Sequence, residues 1–282
     1  MFVGDGRPTE GIRDNRNRRH LPSTLATGRQ HWPYKLAIVA NLDGWLDNGK
    51  VAAFAWQNTD VWNAMREINL LAKLPRGKRN LNARATAKTD EHIRISREYG
   101  EMYFDGPREY GYGGYRYDGR WVPVAQDMIA HFDLKPGDRV LDVGCAKGFL
   151  VKDFMIASPG LEAFGLDVSH YAMMKCEPEV IGRLHLGTAT DLPFPDNSFK
   201  AAISLNTIHN FERKDAIIAL KELQRVSGGR AFVQVDSYRT PEQKAVFEEW
   251  VLTAKFHDYP DGWIQLFKEA GYKGDYYWTI IE

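Results

Sequence analysis

The sequence predicts an α/β fold in which a parallel sheet carries helices on both faces, preceded by an amino-terminal extension of mixed or helical, aromatic-rich character. Three observations predict it. Beyond residue 139, short apolar runs of strand length alternate with longer segments of helical periodicity, the pattern of a parallel sheet covered on both sides. The first run ends in the glycine-bearing turn Asp142-Val-Gly-Cys-Ala-Lys-Gly148, which leads from a strand into a helix. Upstream of about residue 120, glycine-interleaved aromatics fit neither a regular helix nor a strand.

Taken in chain order, residues 1–31 are rich in Arg, Asn, Gly and Pro without apolar periodicity, and read as a flexible basic arm. Residues 32–120 form the extension. Its apolar runs at 36–40 and 51–56 lie either side of a turn at Asp43-Gly44, and Trp62, Met65, Ile68, Leu71 and Leu74 recur at three-residue steps, predicting the buried stripe of a helix. A polar connector runs to about Lys88. Next come a helix opened by Thr89-Asp-Glu-His and the run Tyr110-Gly-Tyr-Gly-Gly-Tyr-Arg-Tyr-Asp-Gly-Arg-Trp121. Rings on so pliable a backbone suit either a lid over a pocket or the flank of the domain, and the extension either caps a site or supports a homodimer. Residues 121–282 form the main domain. Strands are expected over 139–143, 163–167, 184–187, 201–206, 230–236 and 276–281, and helices over 123–132, 149–157, 171–176, 213–226, 241–255 and 263–270.

Composition narrows the function. Thirty-seven basic residues balance thirty-seven acidic ones, which removes any global drive toward nucleic acid and makes a small molecule the default partner. In the amino-terminal arm Asp5, Glu10 and Asp14 dilute the basic run Arg16-Asn-Arg-Arg19. The two cysteines, Cys145 and Cys176, support neither a disulfide framework nor a zinc site, and no cluster of His and carboxylates has ligand spacing, so no metal is expected. The first residues lack an export signal's basic start and apolar run, and no stretch approaches roughly 18 uncharged apolar residues. A cytoplasmic location is the expectation.

Gly144 and Gly148 let the backbone approach a ligand, and the helix that follows offers unpaired amides. Asp167, at the end of the second strand, can accept both hydroxyls of a ribose. Downstream lie Gly187-Thr-Ala-Thr-Asp-Leu-Pro-Phe-Pro-Asp-Asn-Ser-Phe199 and a further strand ending at Asn206. With these three blocks in order, residues 121–282 resemble the class I S-adenosylmethionine-dependent methyltransferases of the small-molecule kind, including sugar and natural-product tailoring enzymes. The resemblance implies a Rossmann-like sheet and S-adenosylmethionine as cofactor, with S-adenosylhomocysteine as product. By the resemblance Asp142, Gly144, Cys145, Ala146 and Gly148 surround the methionine part, Asp167 and Val168 the ribose, and Thr188, Ala189, Asp191 and Leu192 the adenine. Asn206 lies near the sulfonium and the acceptor. Two departures stand out: Ala146 replaces the usual middle glycine, and Thr188 the usual acid beside the adenine. A dehydrogenase shares the glycine turn and the strand-end acid, but the Leu-Pro-Phe block has no role in one.

Methyl transfer is an in-line displacement, so the protein aligns a nucleophile and, where needed, removes its proton. His209, in the loop after the fourth strand, is the candidate base, with a fixed loop histidine as the bland alternative. Asn206 and Asn210 are expected beside the reacting centre. Tyr112, Tyr115, Arg116 and Arg120 are candidate pocket closers, and Tyr238 and Arg239 candidate acceptor contacts. The expected activity is methylation of an oxygen or nitrogen on a small polar metabolite, with a sugar or nucleotide-sugar as first guess. The alternatives are a catalytically inactive cofactor-binding partner subunit and a protein or RNA methyltransferase.

Overall fold

The computed structural model describes residues 65–75 and 88–280. The chain divides into two compact units, Met1–Ala55 and Trp56–Glu282, and every described residue belongs to the second. The arm at 1–31 and the apolar runs at 36–40 and 51–56 lie outside the described residues.

Six parallel strands form one sheet: β1 (Arg139–Val143), β2 (Glu162–Asp167), β3 (Leu184–Leu186), β4 (Ala201–Leu205), β5 (Ala231–Ser237) and β6 (Asp275–Ile280). Their order is β3-β2-β1-β4-β5-β6, so the chain reverses direction across the sheet between β1 and β4, the place where open α/β sheets bind ligands at their carboxyl ends. The strand pleat sorts the core. Leu141, Ala202 and Val233 point to one face, covered by α6 (Arg213–Ser227) and α8 (Pro260–Ala270). Val140, Ile203 and Phe232 point to the other, covered by α3 (Val122–Phe132) and α4 (Phe149–Ala157). Glycines in the left-handed conformation, Gly228 and Gly271, end α6 and α8.

Ahead of the sheet lie α1 (Asp90–Ser96) and the short α2 (Glu101–Phe104). Thr89 caps α1 reciprocally with His92, at the start expected from Thr89-Asp-Glu-His. The remaining elements are α5 (His170–Met174), between β2 and β3, and α7 (Pro241–Trp250), after β5.

Two expectations are corrected. The helix expected over 62–74 is absent from its described part: Glu67 bridges to Tyr276, Tyr276 donates to the Arg66 carbonyl, and a turn follows. The apolar stripe is divided, with Met65 packing on one face of the sheet and Ile68, Leu71 and Leu74 on the other, because this segment covers the outer edge of β6. Asp275, 2% exposed, fixes it there through an ion pair to Arg66 at 2.8 Å and a hydrogen bond with the His131 ring at 2.9 Å. Likewise α7 stops at Trp250 rather than continuing to 255. Val251 is extended, and the Lys88 ammonium takes the carbonyls of Glu248 and Val251, so the chain leaves the helix with those acceptors satisfied.

Candidate active site

At the carboxyl ends of β1, β2 and β4 a cavity of about 200 Å³ opens between the sheet and the segment containing α1 and α2. Its floor is the turn after β1. Gly144 adopts φ +86°, and a Cβ there would sit 1.9 Å from the Thr207 hydroxyl, so only glycine fits. Ala146, in place of a glycine, takes the left-handed conformation at φ +50°. Its N–H donates to the Asp167 carboxylate at 2.8 Å, and the other oxygen of that carboxylate accepts from the Ser169 N–H at 2.8 Å. Burial raises the Asp167 pKa against the opposing pull of these amides. Asp142, one residue before the lining residue Val143, is 4% exposed, and its carboxylate receives no hydrogen bond from the described residues. Burial, reinforced by the nearby Asp167 charge, pushes its pKa up to about 8.

Of the cofactor candidates, Gly144, Ala146, Asp167, Val168, Ala189 and Asn206 line the cavity, and so do the acceptor candidates Tyr112 and Asn210. Asn206 ends β4 at φ +54°, a conformation that asparagine tolerates better than most residues. The Asn210 amide nitrogen donates to the Asn206 carbonyl at 3.1 Å, while its oxygen is buried without a partner. A buried acceptor left unpaired costs roughly 1–3 kcal/mol, so a donor on a ligand in the cavity would recover that energy.

Other candidates lie elsewhere. Cys145 is buried in the core, and Gly148 opens α4 beneath Leu184. The Thr188 hydroxyl pairs with Thr190, and Asp191 is exposed. Leu192 is a core residue. Its amide donates to Glu222 and its carbonyl accepts from Arg225, which also takes the Phe194 carbonyl, so a Glu222–Arg225 pair on α6 holds the Leu-Pro-Phe block in place. Tyr115 stacks on Phe149 with centroids 4.6 Å apart, Arg116 is exposed, and Arg120 pairs with Asp118. Tyr238 is buried against Phe247 and bonds His257, and Arg239 pairs with Glu67.

His209 is 3% exposed and does not line the cavity. Its Nδ1 accepts the Asp236 N–H at 3.1 Å, and its carbonyl accepts the N–H groups of Lys255 and Phe256. Burial holds the imidazole below its usual range, although the Asp236 carboxylate 3.8 Å away opposes this. In that state the proton sits on Nε2. His209 thus joins the loop after β4, the end of β5 and residues 255–256.

The opposite wall carries residues that sequence reasoning did not single out: Arg97, Tyr99, Tyr103, Phe104 and Lys255. Tyr99 and Tyr103 pack edge to face at 5.3 Å, and Tyr103 meets Tyr112 in the same way at 5.2 Å. The turn at 111–114 returns over α2, with Tyr112 N–H donating to the Tyr103 carbonyl; a Cβ on Gly111 would sit 2.1 Å from that oxygen. An ion pair between buried Lys147 and exposed Asp105 fastens this wall to the floor. Lys147, in the glycine turn, donates to both oxygens of Asp105 at 2.8 and 2.6 Å and to the Tyr115 carbonyl, while the Tyr171 hydroxyl also reaches Asp105. Burial alone would raise the Asp105 pKa, but the Lys147 and Tyr171 hydrogen bonds leave it below the usual carboxylate range. The i, i+4 spacing of Tyr99 and Tyr103 ahead of the Tyr-Gly run was the available signal for this wall. Lys255 was hidden by the helix expected to run through it.

A parallel sheet with a glycine turn, a strand-end acid and a cavity at its topological switch defines a Rossmann-like nucleotide-binding domain. Residues 141–233 match the family model described as Methyltransferase domain. The chain is 34% identical over 89 residues to a demethylmenaquinone methyltransferase of Symbiobacterium thermophilum, covering 29% of this chain and 36% of that one. It is 28% identical over 173 residues to the (+)-O-methylkolavelool synthase of Herpetosiphon aurantiacus, covering 54% and 58%. Phosphoethanolamine N-methyltransferase 1 of Arabidopsis thaliana is 28% identical over 160 residues, covering 54% and 32%. The match thus spans between about a third and three fifths of these relatives' length. Among solved structures, the YcgJ protein of Bacillus subtilis aligns at 24% identity and a TM-score of 0.43, over 52% of this chain and 66% of that one. The matched region and these relatives support a methyltransferase domain of the class I, S-adenosylmethionine-dependent kind. No described helix is long and apolar enough to cross a membrane.

Proposed function

We propose that this chain transfers the methyl group of S-adenosylmethionine to an oxygen or nitrogen of a small polar metabolite. The observation that carries the reading is the buried, unbonded Asp142 carboxylate beside a turn that only glycine can make, with Asp167 at the next strand end. A buried carboxyl that burial keeps protonated, with no hydrogen bond from the described residues, would ionise against a ligand's ammonium group, and the methionine part of the methyl donor has one. Asp167 keeps lone pairs for ribose hydroxyls while it holds the Ala146 amide. The apolar Val168 and Ala189 beside it suit a flat base. When bound, S-adenosylmethionine supplies an electrophilic methyl group on a cationic sulfur.

The chain's own contribution is alignment and exclusion of water. Asn210, through its unpartnered oxygen, is poised to accept the O–H or N–H of the acceptor and so aim the lone pair of that atom. Tyr99, Tyr103 and Tyr112 close the cavity as the proposed lid. We assign His209 a positioning role in place of the base role, because its Nδ1 is occupied and it stands behind the loop that lines the cavity. The domain boundaries proposed are the arm at 1–31, the extension at 32–120 and the catalytic domain at 121–282. The named relatives carry the names of demethylmenaquinone, O-methylkolavelool and phosphoethanolamine, which supports small acceptors without singling out a sugar, although probable tRNA methyltransferases are also similar to this chain.

Calorimetry tests the reading. Asp167→Ala should weaken S-adenosylhomocysteine binding by roughly 1–3 kcal/mol, the cost of leaving buried hydroxyls unpaired. Wild-type protein that binds neither donor nor product, yet binds a nicotinamide nucleotide, would refute it.

A further inference from the structure

The acceptor end of the cavity carries two positive charges, Arg97 and Lys255, that no carboxylate among the described residues neutralises. Arg97 follows α1 as its carboxyl cap, and Lys255 lies in the extended segment after α7. Both are exposed and both line the cavity. The Arg97 guanidinium donates to the carbonyl of Ala254, the residue before Lys255, at 3.2 Å, so the two cations enter from one side. Among the described residues neither forms an ion pair, whereas Arg66, Arg94, Arg120, Arg213, Arg225 and Arg239 each do.

The Lys255 backbone is also held in place. Its N–H bonds the carbonyl of buried His209, and Lys88 takes two carbonyls of the same stretch. Asp167, the acid that lines the cavity, ends β2 on the floor, while Arg97 and Lys255 stand on the opposite wall, so acid and cations fall on different sides. A cationic methyl donor belongs on the acid side. On the other side a second cation would be repelled and an anion drawn in.

Building on the proposed methyl transfer, we propose that the acceptor carries a carboxylate or phosphate group, held by Arg97 and Lys255, and presents its hydroxyl or amine to Asn210. Guanidinium and ammonium together grip such an anion, and the unpartnered Asn210 oxygen accepts a hydrogen bond from the nucleophile, whose proton passes to water as the new bond to the methyl carbon forms and the carbon–sulfur bond breaks.

The test uses the full chain saturated with S-adenosylhomocysteine, titrated in a calorimeter with 4-hydroxybenzoate, phenyl phosphate and the neutral 4-hydroxybenzyl alcohol. At least one anion should bind tenfold or more tighter than the alcohol, and which one does so separates carboxylate from phosphate. Arg97→Gln and Lys255→Gln, both at exposed positions, should each weaken that binding at least fivefold and leave S-adenosylhomocysteine affinity within twofold. Equal binding of alcohol and anions, or no anion binding by protein that holds S-adenosylhomocysteine, overturns the proposal. So does loss of S-adenosylhomocysteine affinity in the variants with anion binding intact, which would place the cations on the cofactor's own carboxylate. Failure of S-adenosylhomocysteine itself to bind would overturn the methyl-donor reading on which this one rests.

Discussion

Asp142 is buried near the end of β1 with no hydrogen bond from the described residues. Its pKa, raised to about 8 first by burial and then by Asp167, means that the folded chain without ligand prefers this carboxyl protonated. For an acid whose folded pKa is raised, the stability contribution is complete below the unfolded value near 4 and is lost as pH rises through the folded one. Ligand-free wild type should therefore lose up to ~1.4 kcal/mol per pH unit from this group between about pH 4 and 8, and Asp142→Asn should lack that component. Thermal melts of both proteins from pH 5 to 8 decide it, and parallel curves would show that Asp142 does not titrate there. His209 supplies the contrasting case. As a pin it needs only an acceptor for the Asp236 N–H, which an amide oxygen can supply. His209→Asn should keep a substantial fraction of activity with an unchanged pH profile, and His209→Ala should destabilise by about 1–3 kcal/mol from the unpaired amide. A profile that loses an ionisation in His209→Asn would restore the base role. Asp167, Asn206 and Asn210 meet at one cavity because strand ends converge in a parallel sheet. His209, Tyr238 and Arg239 do not line it, since nearness to a strand end does not say which way a side chain turns.

Between elements, the contact with most consequence joins the glycine turn to the segment around α2. Lys147 is 6% exposed, and its ammonium is spent on Asp105 and the Tyr115 carbonyl. Because Asp105 is exposed, breaking the pair leaves its carboxylate in water, at a cost of about 1–2 kcal/mol rather than that of a stranded buried charge. Lys147→Met should therefore loosen the wall carrying Tyr103 and Tyr112 and weaken S-adenosylhomocysteine binding, whereas the double variant Lys147→Met with Asp105→Leu should recover part of the stability. Chemical denaturation of the three proteins measures the coupling, and simple additivity would mean that the pair does not act as a latch. Elements that bury one face against the sheet were legible: 149–157 and 213–226 as helices, 139–143 and 163–167 as strands. The segments misread were those whose conformation is imposed from outside. Residues 65–75 serve the edge of β6, and residues 251–256 are drawn off α7 by Lys88 and His209, neither of which leaves a periodic trace.

At the scale of the molecule, the order β3-β2-β1-β4-β5-β6 puts the floor of the cavity at the switch between β1 and β4, while residues 97–112 supply its roof. A ligand there contacts both parts of the described fold, so binding should stabilise sheet and roof together rather than order one loop. Mass action sets the size: product at a hundred times its Kd adds about 2.7 kcal/mol of stability. For a domain of this length that corresponds to a rise in Tm of roughly 5–10 °C. If roof and floor close as a unit, hydrogen exchange should slow at the amides of Tyr112 and Gly114, which bond Tyr103 and Phe104, as well as at Gly144 and Cys145, which bond Leu166. Protection confined to the glycine turn, with Tm raised, would mean that the cofactor binds without the roof. The aromatic wall would then serve the acceptor alone.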